Sequence, residues 1–113
     1  HITTFGGHPV IAAACLATLQ EILEKDYISQ SLAKEKLFRS LLVHPLIQEV
    51  RGKGLMIGID LPDELNMVKK NLLCKHKIFT GEAKPNVIRL LPALNITKTE
   101  ADIFLQAIKT ELG

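Results

Sequence analysis

The sequence predicts an α+β domain in which helices cover one face of a small sheet. Three observations support this fold class. Strong helix formers fill residues 9–24 and 98–111, near the two ends of the chain. Apolar segments rich in β-branched residues lie between them, at residues 47–51, 55–61 and 87–91. Strands interspersed with helices in this order are typical of a sheet covered by helices, and no repeat or linker divides the chain.

The length and composition limit the class of protein. A chain of 113 residues forms at most one domain with a modest core. With 47% hydrophobic and 23% charged residues, it belongs with folded proteins and not with disordered ones. The net charge is only +2, and the basic residues alternate with acidic ones, which argues against nucleic-acid binding. No apolar run reaches the roughly 20 residues of a membrane span, so we expect neither nucleic acid nor membrane as a partner.

The chain begins with a polar, glycine-containing loop, residues 1–8, that leads into a helix predicted to start at Pro9. Proline favours the first helical position because its missing N–H has no partner there. The glycines let the backbone approach a ligand, and the hydroxyls of Thr3 and Thr4 offer further donors. Free N–H groups at a helix N-terminus suit a phosphate or a carboxylate. From the residues alone, the loop is either an anion-binding loop or an ordinary turn.

The first helix, Pro9 to about Glu24, is apolar on nearly all sides between Val10 and Ala17. A helix of this kind requires burial all round, and a domain of this size hardly supplies it. We therefore expect the helix to be swapped or to bury its apolar side against another chain. Cys15, which lies within it, is expected to be a buried free thiol.

The cysteine usage favours a reducing compartment. The chain has two cysteines, Cys15 and Cys74, far apart in the sequence, and they do not form a disulfide framework. The Cys74-Lys75-His76 segment lacks a second pair of ligands to complete a tetrahedral metal site. No secretory signal is recognisable. We expect a cytoplasmic protein without a bound metal ion.

The middle of the chain predicts a helix followed by a hairpin. Asp26 is expected to cap a second helix, Tyr27–Leu42, and His44-Pro45 ends it. Strands at 47–51 and 55–61 are joined through a tight hairpin or bulge at 52–54. The helix is expected to bury one apolar face and to expose its charged residues; the apolar face comprises Ile28, Leu32, Leu37, Leu41 and Leu42, and the charged residues are Lys34, Glu35, Lys36 and Arg39.

The last part of the chain predicts four further elements. A third helix opens at Pro62-Asp63-Glu64 and runs to about His76. Short strands follow at Ile78–Thr80 and Val87–Leu91, with a loop at 81–86 between them. Thr97-Lys98-Thr99-Glu100 fits the capping-box pattern at the start of the last helix. The residues expected to face inward are Leu65, Val68, Leu72 and Leu73 in the third helix and Ile103, Phe104, Ala107, Ile108 and Leu112 in the last.

Three motifs that occur in a fixed order together resemble one protein family. They are Thr3-Thr4-Phe5-Gly6-Gly7-His8-Pro9, Val50-Arg51-Gly52-Lys53-Gly54-Leu55-Met56-Ile57-Gly58 and Ile88-Arg89-Leu90-Leu91-Pro92-Ala93-Leu94-Asn95-Ile96-Thr97. In this order they resemble the C-terminal part of a class III pyridoxal-phosphate-dependent aminotransferase of the acetylornithine/ornithine type. The resemblance covers essentially the whole chain.

The resemblance implies a domain arrangement. It implies the small C-terminal domain of a fold-type-I pyridoxal-phosphate-dependent transferase, with a short, mostly antiparallel sheet and helices on one side. Residues 1–113 would form a single domain. Within it, residues 1–8 would be the remnant of a cofactor loop, 9–25 an inter-domain helix and 26–113 the small domain itself.

The resemblance also implies an activity. The parent enzyme would transfer an amino group from N-acetylornithine or ornithine to 2-oxoglutarate, in arginine and amino-acid metabolism, as a homodimer with pyridoxal 5'-phosphate. Its substrates would be amino acids and 2-oxo acids. The alternatives are another class III ω-amino acid transaminase, such as one acting on 4-aminobutyrate, or a stand-alone α+β module that binds amino acids.

Three residues of the chain match binding residues of the family. Thr4, helped by Thr3, would bind the cofactor phosphate across the dimer interface. Arg89 would pair with a substrate carboxylate, for which a planar guanidinium is suited; from the residues alone, it is equally well an arginine that extends from an edge strand to solvent. His8 stands where the family commonly has Asn. For residues 51–54 we favour a hairpin with exposed charges over a ligand site.

No catalytic residue is assigned in this chain. The Schiff-base lysine of the family lies on the large domain, upstream of the opening motif, and no lysine here stands in the matching context. The chain opens within a motif and without an initiator Met, so we expect a part of a longer protein that is inactive by itself.

Overall fold

The computed structural model describes residues 2–81 and 83–113, so His1 of the predicted opening loop and Glu82 of the predicted 81–86 loop lie outside the described residues. Within these residues the chain has four α-helices and a three-stranded antiparallel sheet, which confirms the predicted α+β class. The helices are α1 (Pro9–Glu24), α2 (Tyr27–Leu41), α3 (Val68–His76) and α4 (Lys98–Leu112), and the strands are β1 (Glu49–Lys53), β2 (Met56–Asp60) and β3 (Val87–Leu90).

The sheet has one buried and one open face. β2 lies between β1 and β3, and both are antiparallel to it. Alternate residues of a strand point to opposite faces. Ile57 and Ile59 of β2 are fully buried, so Gly58 and Asp60 lie on the other face. The buried face packs against α2, α3 and α4 through one core; its main members are Phe38, Leu42, Ile57, Ile59, Leu61, Val68, Leu72, Ile88, Phe104 and Ile108.

The β1–β2 hairpin depends on a glycine. Lys53 pairs with Met56, which leaves a two-residue loop, and the predicted hairpin is confirmed. Gly52 has a φ of 123°, in a region that side chains rarely adopt. A Cβ on Gly52 would lie 1.9 Å from the carbonyl oxygen of Met56. Only glycine therefore fits this position.

Two charged residues of α2 hold the hairpin. Arg39 donates from Nη1 to the carbonyl of Val50 (2.8 Å) and from Nη2 to that of Gly52 (2.6 Å). Glu35 accepts from the Arg39 Nε (3.1 Å) and from the Gly54 amide (2.5 Å). The Gly54 amide, and after it Arg39, holds the pKa of Glu35 below its usual value. The prediction that Glu35 and Arg39 are simply solvated is wrong, because both are half-buried against β1.

The predicted apolar face of α2 is also partly wrong. Ile28 and Leu32 are exposed, and Phe38, not predicted to face inward, is buried together with Leu42. The reason is that only the C-terminal turns of α2 reach the core. Asp26 makes no side-chain cap; it takes a left-handed conformation, with φ at 51°, and ends the turn that separates α1 from α2.

The predicted third helix is interrupted and the strand after it is absent from the described residues. A short 3₁₀ turn, Asp63–Leu65, precedes α3. The segment 78–80 forms no strand, because the amide of Ile78 donates instead to the carbonyl of Leu72 at the end of α3 (3.0 Å). The predicted strand at 87–91 forms as β3, and Gly81, in the predicted loop, makes a single bridge to Arg89 in the described chain.

In α3 and α4, most of the residues predicted to face inward are buried. Leu73 and Ile103 are the exceptions and are exposed. The reason is that these two positions lie on the sides of α3 and α4 that face away from the core. Buried residues of α4 that were not predicted are Ala101 and Leu105.

Helix α1 has no buried residue. This agrees with the expectation that the domain itself does not cover its apolar surface, and what covers that surface stays a prediction. Cys15 is exposed, contrary to the expected buried thiol, because nothing in the described chain packs over this side of α1; both Cys15 and Cys74 are free. None of the helices in the described ranges is long and apolar enough to cross a lipid bilayer.

The predicted capping box of α4 is present. The Thr97 hydroxyl accepts from the Glu100 amide (3.2 Å), and the Glu100 carboxylate accepts from the Thr97 amide (2.8 Å). We expect Thr97→Ala to lower the free energy of unfolding by about 1 kcal/mol, because a helix N–H loses its partner. Urea denaturation followed by circular dichroism measures it. Thr99→Ala, in the same turn but outside the box, is the control, and equal losses in the two variants would contradict a capping role.

Candidate functional site

The open face of the sheet carries two arginines in line. Arg51 of β1 is opposite Gly58 of β2, and Gly58 is opposite Arg89 of β3. Residues opposite each other in antiparallel strands lie on the same face. The two arginine side chains therefore start from the same face, with a glycine between them. Beyond Arg89, Gly81 forms the last position of this line through its bridge to β3.

Arg51 uses its charge inside the domain. Its Nη1 pairs with the carboxylate of Asp60 and, at 3.3 Å, with that of Glu49. The hydrogen bond with Asp60 is the main cause that raises the pKa of Arg51 above its usual value. Arg51 therefore compensates the carboxylates of this face.

Arg89 is different. The residue is half-buried, and its Nε is buried with no hydrogen-bond partner among residues 2–81 and 83–113. Among the residues that the structure describes, no carboxylate lies within 4.0 Å of its guanidinium. A buried donor without a partner is costly. A free guanidinium on an open sheet face is arranged to receive a planar anion such as a carboxylate.

The opening loop offers hydroxyl groups and unobstructed backbone. Thr3 and Thr4 are exposed, and the amide of Gly6 donates to the carbonyl of Thr3 (3.3 Å). A Cβ on Gly6 would lie 2.6 Å from the Thr3 hydroxyl, so the glycine leaves room for that oxygen. No acidic residue lies in the first turn of α1. These features fit a phosphate group.

His8 caps α1. Its Nδ1 accepts from the amide of Val10 at 3.3 Å, and its backbone is extended, as is usual for a residue that precedes a helix. An Asn side chain offers the same kind of acceptor to the same amide. The departure from the family at His8 therefore keeps the helix cap.

The predicted binding residues do not meet in one cavity. Thr3 and Thr4 line an open cavity of about 490 Å³ whose lining residues all fall between Thr3 and Cys15. Arg89 lies on β3 and contributes nothing to that lining. In the described chain no group of three or more His, Cys, Asp or Glu residues is placed to hold a metal ion. The two groups of predicted binding residues thus lie in separate parts of the described chain.

The sequence reasoning missed three residues of this face: Gly58, Asp60 and Gly81. The sequence could have indicated Gly58, since an isolated glycine in a strand often marks a place where a ligand or another backbone comes close. Asp60 is the last residue of an alternating strand, and alternation alone places it on the open face. Gly81 had no signal, because its place beside Arg89 depends on the bridge between two segments.

Comparisons with known proteins agree on one family. The family model for class-III aminotransferases matches residues 1–112. The chain is 40% identical over 121 residues to the acetylornithine aminotransferase of Oceanobacillus iheyensis, with 100% of the chain and 30% of that protein covered. It is 39% identical over 118 residues to the ornithine aminotransferase of Staphylococcus epidermidis, with 97% of the chain and 28% of that protein covered.

Solved structures agree with the sequence relatives. The ornithine aminotransferase from Toxoplasma gondii, described with pyridoxal phosphate at its active site, superposes with a TM-score of 0.83 at 25% identity, covering 98% of this chain and 28% of that one. The N-acetylornithine aminotransferase from Stenotrophomonas maltophilia superposes with a TM-score of 0.80 at 26% identity, covering 95% of this chain and 32% of that one. An (S)-enantioselective omega-transaminase from Thermomicrobium roseum superposes with a TM-score of 0.79 at 26% identity, covering 99% of this chain and 28% of that one. The chain spans about 30% of the length of the curated relatives.

Proposed function

The chain belongs to the class III aminotransferase family, which is pyridoxal-phosphate-dependent, and on that premise we propose that it is the C-terminal part of an acetylornithine or ornithine aminotransferase. The complete enzyme transfers an amino group from N-acetylornithine or ornithine to 2-oxoglutarate, in arginine and amino-acid metabolism. The observation that carries the proposal is the guanidinium of Arg89 on the open sheet face, which has no carboxylate within 4.0 Å among the described residues.

Arg89 binds the substrate carboxylate. In N-acetylornithine the free amino group lies at the end of the side chain, away from the carboxylate, whereas 2-oxoglutarate carries a carboxylate beside the carbon that receives the amino group. A guanidinium that meets this carboxylate through two hydrogen bonds fixes the position and the plane of the substrate. Arg51 cannot take this role, since the carboxylates of Asp60 and Glu49 already neutralise it.

Thr4 and Thr3 bind the cofactor phosphate. Their hydroxyls and the unobstructed glycine backbone of the loop supply donors for phosphate oxygens. When bound, pyridoxal 5'-phosphate supplies the electron sink for chemistry at the amino carbon. The lysine that anchors it belongs to the large domain of the complete enzyme. This chain by itself binds and orients but does not catalyse.

The remaining surfaces suit assembly with the rest of the enzyme. Residues 1–8 form part of the cofactor loop, 9–25 an inter-domain helix and 26–113 the small domain. Helix α1 has no buried residue, so its apolar surface is available to the large domain or to the partner of a homodimer, in a cytoplasmic enzyme. An independent amino-acid-binding module would leave this surface unprotected in water.

There is a second candidate for the amino donor. Because the omega-transaminase superposes almost as well as the acetylornithine enzyme, a donor such as 4-aminobutyrate is the alternative. In the complete enzyme we expect kcat/KM to be highest for N-acetylornithine or ornithine, measured by parallel assays with 2-oxoglutarate as acceptor. A higher value for 4-aminobutyrate would select the alternative.

The division of roles is tested with pyridoxal phosphate itself. Borohydride reduction after incubation with the cofactor fixes it on any lysine to which it is attached, and peptide mass spectrometry locates that lysine. We expect stoichiometric labelling of one lysine in the complete enzyme and of none in the 113-residue chain. Stoichiometric labelling of a single lysine within residues 1–113 would overturn the proposal.

A further inference from the structure

Gly81 lies directly against the guanidinium of Arg89. Its amide donates to the Arg89 carbonyl at 2.7 Å, which holds the two backbones together. A Cβ built on Gly81 would be 2.8 Å from the Arg89 Nε and 3.2 Å from the Arg89 carbonyl oxygen. Such a short contact with Nε forces one of the two groups to move.

Arg89 is the group that would move. The φ angle of Gly81 lies outside the left-handed region, so alanine can adopt it without the strain of a positive φ. The hydrogen bond between the two residues keeps the main chain in place. The absence of a side chain at position 81 therefore serves to leave space for the guanidinium.

The other glycine beside Arg89 does not have this property. A Cβ on Gly58 would lie 3.5 Å from Cγ and 3.7 Å from Nε of Arg51, which is ordinary contact, and its nearest neighbours all belong to Arg51. Its φ is likewise outside the left-handed region. The two glycines that flank Arg89 thus differ in one respect, namely whether an added methyl group meets the Arg89 guanidinium.

We propose that Gly81 is a positioning residue for the substrate carboxylate. It lets the Nε side of Arg89 lie against the backbone of residue 81, which closes that side to ligands. The carboxylate is then received end-on, by the two terminal nitrogens of the guanidinium. This inference rests on the proposed role of Arg89 and adds the direction from which the carboxylate is bound.

The test compares Gly81→Ala with Gly58→Ala in the complete enzyme loaded with cofactor. The probe is glutarate, an unreactive dicarboxylate. We expect Gly81→Ala to raise its dissociation constant about tenfold or more, because a displaced guanidinium loses its alignment. We expect Gly58→Ala to change it less than about twofold. The control is the single turnover of the bound cofactor with n-butylamine, which carries no carboxylate and needs no 2-oxo acid, and Gly58→Ala should leave its rate at the parent value.

A double-mutant cycle separates displacement of Arg89 from general damage. If Gly81→Ala acts on the guanidinium, adding it to Arg89→Lys should weaken glutarate binding far less than adding it to the parent. An equal loss in both backgrounds, or equal effects of Gly81→Ala and Gly58→Ala, would overturn the inference. Thermal denaturation of each variant checks that the small domain is folded.

The result that would overturn the proposed function differs from the results that would overturn the role of Gly81. If Arg89→Leu leaves glutarate binding unchanged, then Arg89 is not the carboxylate residue and the proposed function loses its support. If Arg89→Leu abolishes binding while Gly81→Ala behaves like Gly58→Ala, the function stands and only the role of Gly81 is wrong.

Discussion

Replacing Arg89 by leucine in the complete enzyme is expected to lower kcat/KM for carboxylate substrates about a hundredfold or more. The substrate loses a charge-assisted pair of hydrogen bonds, and no other free cation of the described open face replaces it. Arg51 lies on the same face, but it is paired with Asp60 and Glu49. Arg89→Lys should also lose activity, since an ammonium group does not reproduce two parallel hydrogen bonds to one carboxylate.

The matched control is Arg51→Leu, the same substitution two strands away on the same face. It removes the partner of Asp60 and should lower the thermal stability of the domain, while the dissociation constant for glutarate stays nearly constant. Steady-state kinetics with 2-oxoglutarate and calorimetric titration with glutarate measure the two effects. Equal losses of carboxylate affinity in the two variants would show that Arg89 acts only through the general positive charge of the face.

Gly52→Ala is expected to lower the free energy of unfolding of the chain by about 3 kcal/mol or more. Two costs combine at this position. The φ of 123° is strained for any residue with a side chain, and the new Cβ would meet the Met56 carbonyl at 1.9 Å. Because small domains are stable by only about 5–15 kcal/mol, such a loss should leave a substantial unfolded population. Urea denaturation followed by circular dichroism measures it.

Gly7→Ala is the control for the strain of a positive φ. Gly7 has a φ of 78°, but nothing lies within 4 Å of a Cβ built there. Gly7→Ala should therefore lower the free energy of unfolding by only about 1–2 kcal/mol, which is the strain of a left-handed residue. If the two substitutions destabilise the chain equally, the contact with Met56 is not a determinant of the hairpin.

Residues close together in the sequence were sufficient to predict the first and last helices of the chain. Pro9 at a first helical position placed the start of α1, and the Thr97–Glu100 box placed the start of α4, because each depends on residues within one helical turn. The hairpin was predictable for the same reason, since its glycines lie within the turn itself. The family could be inferred because three motifs occur together in order.

Long-range contacts account for what could not be predicted. Glu35 and Arg39 have the spacing of an ordinary solvent-exposed helix pair, and only folding brings the hairpin within their reach. Segment 78–80 has the composition of a strand, but the end of α3 takes the amide of Ile78. Arg89 has no carboxylate partner on the described open face because Asp60 and Glu49 pair with Arg51 instead. This choice of partner involves residues of different strands, so the sequence pattern of one strand does not predict it.

The contact of Arg39 with β1 has a consequence for association between chains. β1 is an edge strand, and such a strand exposes backbone groups on which a strand of another molecule can pair. Val50 and Gly52 occupy alternate positions of β1, and their carbonyls accept hydrogen bonds from the Arg39 guanidinium. Two of the acceptors that an incoming strand requires are thus already used. A side chain of α2 takes the place of a fourth strand, which closes this edge of the sheet and protects it from edge-to-edge aggregation.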